Sequence, residues 1–395
     1  MKTDNLQKLR ADRVWLSEAA CDLEEFRALA EKTTALADYP TASAVDKNVL
    51  IYNAGKVMVS ASTPEGRRAV LAEICGAFGE GPGVVVFKHA YEDTSIIDRA
   101  SEIFDAIIEE QHRTSTGGGD HFAKPGANDR IWNSLEKHCL ADPANFAEYY
   151  GNAVIALASE AWLGPSYQMT AQVNRVNPGG TAQSAHRDYH LGFQSSKVIE
   201  QFPAHVHRLS PVLTLQGAVA HCDMPLESGP TLFLPHSQTY VPGYLALKRQ
   251  EFRDYFETNH VQLPLEKGDL VFFNPALFHA AGTNRSADIK RVANLLQVSS
   301  AFGRAMETVN RERMSARLFP ALKTLQGRLS PDDIANAVAA CAEGYSFPTN
   351  LDRDPPLGGL APKTQAQLMH EALQEGWSDE AFTAALAEQA EKKLS

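Results

Sequence analysis

The alternation of apolar and polar positions divides the chain into three stretches. Residues 1–80 read mainly as helix. Thr63-Pro64-Glu65 supplies a cap, a first-turn proline and a first-turn acid, and RRAVLAEICGAF then runs at a helical period towards Gly79. After the Gly81-Pro82-Gly83 break, GVVVFK is a β-branched run, and residues 93–111 return to a helical period. Between about 167 and 300, short strands are expected at 169–176, 185–191, 212–221, 231–234, 261–265, 270–274 and 291–299. Turn residues separate them at Asn177-Pro178-Gly179-Gly180, Glu227-Ser228-Gly229-Pro230, Lys267-Gly268-Asp269 and Gly282-Thr283-Asn284. Strands of this length and spacing predict a mainly β core with α additions, built as a sandwich or jelly-roll barrel.

Helix returns after about 302. Ser330-Pro331-Asp332-Asp333 is a cap with proline at the first helical position, and a second helical pair surrounds Gly376-Trp377-Ser378. The expected organisation is an N-terminal helical region over 1–80 packing on the core, a β domain over 81–300 and a C-terminal helical extension over 301–395. That extension is expected to pack on the core or to support a homo-oligomer.

Composition narrows the classes of function. With 44% apolar and 22% charged residues over 395 positions, the chain can bury a sizeable core. Its 37 basic and 48 acidic residues leave a net charge of -11, without the basic surplus that a nucleic-acid partner calls for. Cys21, Cys75, Cys139, Cys222 and Cys341 are scattered and form no CxxC pair, so reduced thiols are expected rather than a disulfide framework or zinc knuckle. The N-terminal segment is polar, and apolar runs such as Val84 to Phe87 are too short to span a bilayer. No membrane partner and a cytoplasmic location are therefore expected. Gly117-Gly118-Gly119-Asp120-His121-Phe122 lacks the lysine and hydroxyl of a phosphate-binding loop and reads as a loop able to lie over a site.

The chemistry concentrates at His186-Arg187-Asp188, His279 and Arg291. Residues two apart on an extended strand leave the same face, so His186 and Asp188 can reach one ion, and His279 would join them from another strand. Two imidazoles and one carboxylate form the set that holds a non-haem Fe(II) on one face and leaves the other open. The bland alternative is a chance HxD pattern. Arg291 offers a planar fork that grips a carboxylate, or else a surface salt bridge.

Three segments, NPGGTAQSAHRD, DMPLESGPTLFLPHSQ and FFNPALFHAAGTNRSADIKR, resemble the phytanoyl-CoA dioxygenase family of Fe(II)- and 2-oxoglutarate-dependent oxygenases over roughly residues 80–300. The resemblance implies a double-stranded β-helix of the jelly-roll, cupin-like type. It implies Fe(II) held by His186, Asp188 and His279, 2-oxoglutarate as cosubstrate with its distal carboxylate on Arg291, and O2 as oxidant. It further implies hydroxylation of a small organic molecule with release of succinate and CO2. Members often carry a hydroxyl two positions after the distal histidine, where this chain has Ala281, with Thr283 and Ser286 as candidate substitutes.

Gln172 and Asn174 share a strand face, in a region that contacts the keto acid in related enzymes, or they are ordinary ladder residues. If the strand continues from His186, His190 lies on the ligand face, as a substrate contact, a proton relay or a structural histidine. Arg187, Lys197, His205, His207 and Arg208 concentrate positive charge, either as a solvated loop or as a grip for an anionic substrate group. Two competing functions are a cupin-like hydrolase or isomerase that uses the same three ligands without a keto acid, for which Arg291 has no evident use, and a non-catalytic small-molecule-binding homologue.

Overall fold

The structure is a computed structural model that describes residues 11–114 and 126–395. The Gly117–Phe122 loop lies outside the described residues. The described strands are β1 (Ala44–Asp46), β2 (Val49–Asn53), β3 (Val84–Lys88), β4 (Asn128–Ile131), β5 (Gln168–Val176), β6 (Thr214–Ala220), β7 (Leu232–Leu234), β8 (Val261–Gln262), β9 (Leu270–Phe273), β10 (Phe278–Ala280) and β11 (Arg291–Ser299).

The chain divides into two compact units. One comprises the described parts of 1–90, 119–129 and 174–293, and the other comprises those of 91–118, 130–173 and 294–395. β5 and β11 each run from one unit into the other.

The first unit is a sandwich. One sheet runs β1-β2-β3-β9-β6, with β2 and β3 parallel and the remaining pairs antiparallel. The second sheet, β10-β7-β8, is short and antiparallel. The two sheets meet through aromatic side chains: Phe233 of β7 stands edge-on to Phe273 of β9, with ring centroids 5.1 Å apart. Phe278 and Ala280 turn to the opposite face, into a core with Phe26, Leu234, Tyr240, Tyr244, Phe252 and Phe256. At β6 the approach is close enough to require glycine, since a Cβ on Gly217 would stand 2.5 Å from the Phe272 ring.

Two expectations need correction here. Residues 44–53, expected in a helical region, form β1 and β2. Lys47 and Asn48 take positive φ (50° and 67°) as the tight turn between them, and the β2–β3 pairing outweighs local preference. Residues 185–191 are not a strand. They contribute a single bridge, His186 to His279, before the chain turns at Tyr189 (φ 63°) into a short 3-10 turn, His190–Phe193. With that ladder cut short and β7, β8 and β10 only two or three residues long, the described strands close no barrel.

The second unit is mainly helical. Its helices include Ser95–Thr114, Pro143–Tyr150, Arg311–Leu325, Pro331–Cys341, Gln365–Glu375 and Asp379–Lys392, and β11 lies beside β5. Ser330 forms a capping box with Asp333, and Gly376 (φ 66°) ends Gln365–Glu375 in the left-handed conformation, as the sequence indicated. No helix among the described residues is long and apolar enough to cross a membrane.

Candidate metal centre

The site forms where an irregular segment pairs with β10. The His186 N–H donates to His279 O at 3.0 Å, His279 N–H returns to His186 O at 3.2 Å, and Asp188 N–H donates to Pro275 O at 3.0 Å. This pairing sends the His186 and Asp188 side chains to the same side as His279. The approach to β10 is fixed by Asn274, whose side chain donates to Phe78 O and accepts from Ala276 N–H, so the Asn274-Pro275 turn is rigid before the histidine arrives. Beyond β10, the buried Asn284 donates to Val176 O and Ile289 O and pins the following turn.

The ligand atoms of His186, Asp188 and His279 all lie within 4.8 Å of one another. His186 Nε2 is 3.7 Å from Asp188 Oδ1, and His279 Nε2 is 3.5 Å from Asp188 Oδ2. Donors about 2.1 Å from a shared ion stand roughly 3.0–3.4 Å apart, so each imidazole is within a few tenths of an ångström of that spacing from a carboxylate oxygen. Both imidazoles are oriented for it. His186 Nδ1 meets Ser184 O and His279 Nδ1 meets Leu277 O, each at 2.9 Å, which puts the ring proton on Nδ1 and the lone pair on Nε2. The Phe273 ring, 4.8 Å from that of His279, holds the imidazole from the side. Burial alone would raise the pKa of Asp188, but in the metal-free site the His279 and His186 imidazoles, when protonated, and the Gln216 amide outweigh it and hold the carboxyl below its usual range. The residues fit a divalent transition metal.

Gln216 was not singled out in the sequence. Its Nε2 donates to Asp188 Oδ2. The available signal was an amide in the otherwise apolar run of β6, where Thr214–Ala220 is buried throughout.

Arg291, at the start of β11, is only 7% exposed. Nη1 makes two long contacts, to Ser228 O at 3.3 Å and Gly282 O at 3.4 Å, and no carboxylate among the described residues pairs with it. Burial lowers its pKa to about 10, which still leaves it charged at neutral pH. A second cluster, His89, Glu266 and Asp269, has metal-like spacing, but the Lys88 ammonium already sits on Asp269.

A family model described as phytanoyl-CoA dioxygenase matches residues 54–292. The chain belongs to the phytanoyl-CoA dioxygenase family. Comparison with curated proteins returns no significant sequence match. Among solved structures, this phytanoyl-CoA dioxygenase family member is similar to SnoN, a non-heme alpha ketoglutarate dependent epimerase from nogalamycin biosynthesis (17% identity, TM-score 0.40, covering 59% of this chain and 84% of that chain). It is also similar to SnoK, a non-heme alpha ketoglutarate dependent carbocyclase from nogalamycin biosynthesis (18% identity, TM-score 0.40, covering 66% and 91%).

The remaining candidates of this family member separate clearly. Arg187 points away from the ligands into the core, where Nη2 donates to Ser237 O at 2.6 Å and Tyr240 O at 2.9 Å and the guanidinium lies 5.1 Å from both the Tyr244 and Phe278 ring centroids. Arg187 is thus neither the solvated residue nor the grip for an anionic substrate group that the sequence suggested. His190 leaves the ligand face because the chain turns at Tyr189, and its Nδ1 meets Ser210 Oγ at 3.1 Å. His205 and Arg208 lie exposed on the helix Ala204–Val212, whereas His207 is buried against Phe202 O. Gln172 belongs to the second unit, where its Oε1 accepts from Arg130, while Asn174 belongs to the first and accepts from Asn128 at 3.2 Å. Thr283 Oγ1 is used by Ala182 N–H, and the Ser286 hydroxyl donates to Asn284, so both proposed substitutes for a hydroxyl at 281 serve the turn.

Proposed function

We propose that the protein is an Fe(II)- and 2-oxoglutarate-dependent dioxygenase in which His186, Asp188 and His279 hold the metal and Arg291 receives the distal carboxylate of 2-oxoglutarate. The observation that carries this reading is the convergence of two Nε2 lone pairs and one carboxylate, each imidazole fixed through Nδ1, in a chain of this family. When bound, iron and 2-oxoglutarate supply the oxidising chemistry with O2, releasing succinate and CO2 and hydroxylating a C–H bond of a small organic substrate.

The residues of the chain do the orienting. His186 and Asp188 present their donors from one segment and His279 presents its own from β10, so one face is occupied by protein and the other is left for cosubstrate and O2. Arg291 brings a charge that cannot be discharged at neutral pH and donors that no carboxylate of the described chain uses. A bidentate carboxylate satisfies that fork. Asp188 also disfavours halogenation, which needs the carboxylate position free for a halide.

The test is anaerobic addition of Fe(II), then 2-oxoglutarate, to metal-free protein. The expected result is the weak visible charge-transfer band of the chelate, absent in His279→Ala, together with succinate release once O2 is admitted. A protein that binds another metal yet shows neither band nor succinate is not a 2-oxoglutarate enzyme.

A further inference from the structure

We infer that Gln216 is the positioning residue of this metal centre, and that it selects which oxygen of Asp188 faces the metal. The inference rests on the metal reading above. Gln216 is 5% exposed, and its Nε2 donates to Asp188 Oδ2. An ionised carboxylate only accepts, so the amide nitrogen must be the end that faces Asp188 and the amide oxygen must face away. Among the described residues, no donor reaches Gln216 Oε1.

That arrangement is a poor way to stabilise a fold. A buried carbonyl left unpaired loses the hydrogen bonds it would make to water, and an apolar side chain of similar length in a strand buried throughout would avoid that loss. The amide makes sense as support for Asp188. Its register points the same way. Gln216 on β6 pairs with Phe273 on β9, the residue whose ring packs on His279, so two cross-strand neighbours hold two members of the triad, one by a hydrogen bond and one by contact.

The consequence concerns ligand count. With Oδ2 holding an amide hydrogen, Oδ1 is the oxygen that carries no amide bond, and Asp188 would offer a metal that oxygen first. A carboxylate free to rotate could take two positions on the ion and crowd the open face.

The experiment uses Mn(II) alone as the probe, with metal-free full-length wild type, Gln216→Met, Gln216→Leu and His279→Ala. Calorimetric titration gives affinity, thermal melting of the metal-free proteins reports the fold, and the Fe(II)–2-oxoglutarate band gives a spectroscopic readout. Gln216→Met is expected to weaken Mn(II) binding on the order of tenfold or more. Its metal-free melting temperature should be unchanged or raised, and its band shifted or weakened rather than abolished. Gln216→Leu should follow the same pattern. Mn(II) affinity within twofold of wild type in either folded variant would overturn the inference. So would melting temperatures lowered in both variants, which would assign the amide to the fold. If wild type binds no Mn(II), or His279→Ala binds it equally well, the metal reading itself fails and takes this inference with it.

Discussion

Arg187 and Arg291 are both buried, both have pKa values lowered by burial to about 10, and both point their guanidinium at backbone carbonyls, yet they sit in opposite situations. Arg187 is enclosed: Nη2 makes two short hydrogen bonds, to Ser237 O and Tyr240 O, and the guanidinium lies against the Tyr244 and Phe278 rings. Arg291 has only two long contacts from one nitrogen, and no ring lies over it among the described residues. A guanidinium cannot shed its proton at neutral pH, so the protein must answer a buried one. At Arg187 the fold supplies most of the answer, two short bonds to Nη2 and two ring faces, and leaves Nε without a hydrogen-bond partner among the described residues. At Arg291 it supplies two long contacts, which leaves the rest to the carboxylate proposed above.

The comparison breaks most visibly at Arg291. In Arg291→Leu, the affinity for 2-oxoglutarate is expected to fall by roughly 4 kcal/mol, on the order of a thousandfold, because a buried charged partner is removed from the carboxylate. The metal-free melting temperature should barely move. Calorimetry with 2-oxoglutarate on the Mn(II)-loaded protein reads the first quantity and a thermal melt the second. A large loss of stability with little change in affinity would make Arg291 another Arg187.

Arg187→Met is the reciprocal case. Two backbone acceptors lose a charged donor and two rings lose a cation, for an expected loss of about 2–3 kcal/mol of stability. Mn(II) and 2-oxoglutarate affinities of the folded fraction should stay near wild type. Gly243→Ala should act in the same direction, because a Cβ there would stand 2.0 Å from the Arg187 guanidinium carbon. Urea unfolding midpoints check both variants, and a stability unchanged in both would remove the structural role of Arg187.

How much of this was legible in the sequence follows from which interactions are local. His186 and Asp188 on one face and Arg187 on the other is simple alternation, and β11 at Arg291–Ser299 was readable as an apolar stretch after the Gly282-Thr283-Asn284 turn. Thr63 and Ser330 announced their helices because a cap is decided within one turn. The failures are non-local or conformational. β2 is a strand because β3 lies parallel to it, a partner more than thirty positions away. The strand expected through His190 stops short because a tyrosine at positive φ gives no sequence signal of the kind glycine gives. Gln216 was missed because nothing local says that an amide in an apolar strand will meet an aspartate 28 residues earlier in the chain.

An unpartnered buried nitrogen does not by itself call for a ligand, and His138 in the second unit shows why. Its Nε2 meets Asn145 Oδ1 at 2.8 Å, while Nδ1 has no hydrogen-bond partner among the described residues, inside a cage of Phe104, Phe146, Tyr149 and Tyr150. Unlike an arginine, an imidazole can meet burial by losing its charge, and burial lowers the pKa of His138 to about 4. The sign follows from linkage: between the folded pKa and an unfolded value of about 6.5, the unfolded chain binds the proton and the folded one does not, so stability falls as pH falls through that window. From pH 7 to 5.5 the expected loss from this residue is about 1 kcal/mol. His190, His207, His236 and His370 are also lowered by burial and act in the same direction, so the residue-specific measurement is an NMR titration of the His138 ring. If that ring protonates near pH 6 in the folded protein, its cage holds a charge after all. The distinction between a buried group that can discharge and one that must be answered would then lose its control.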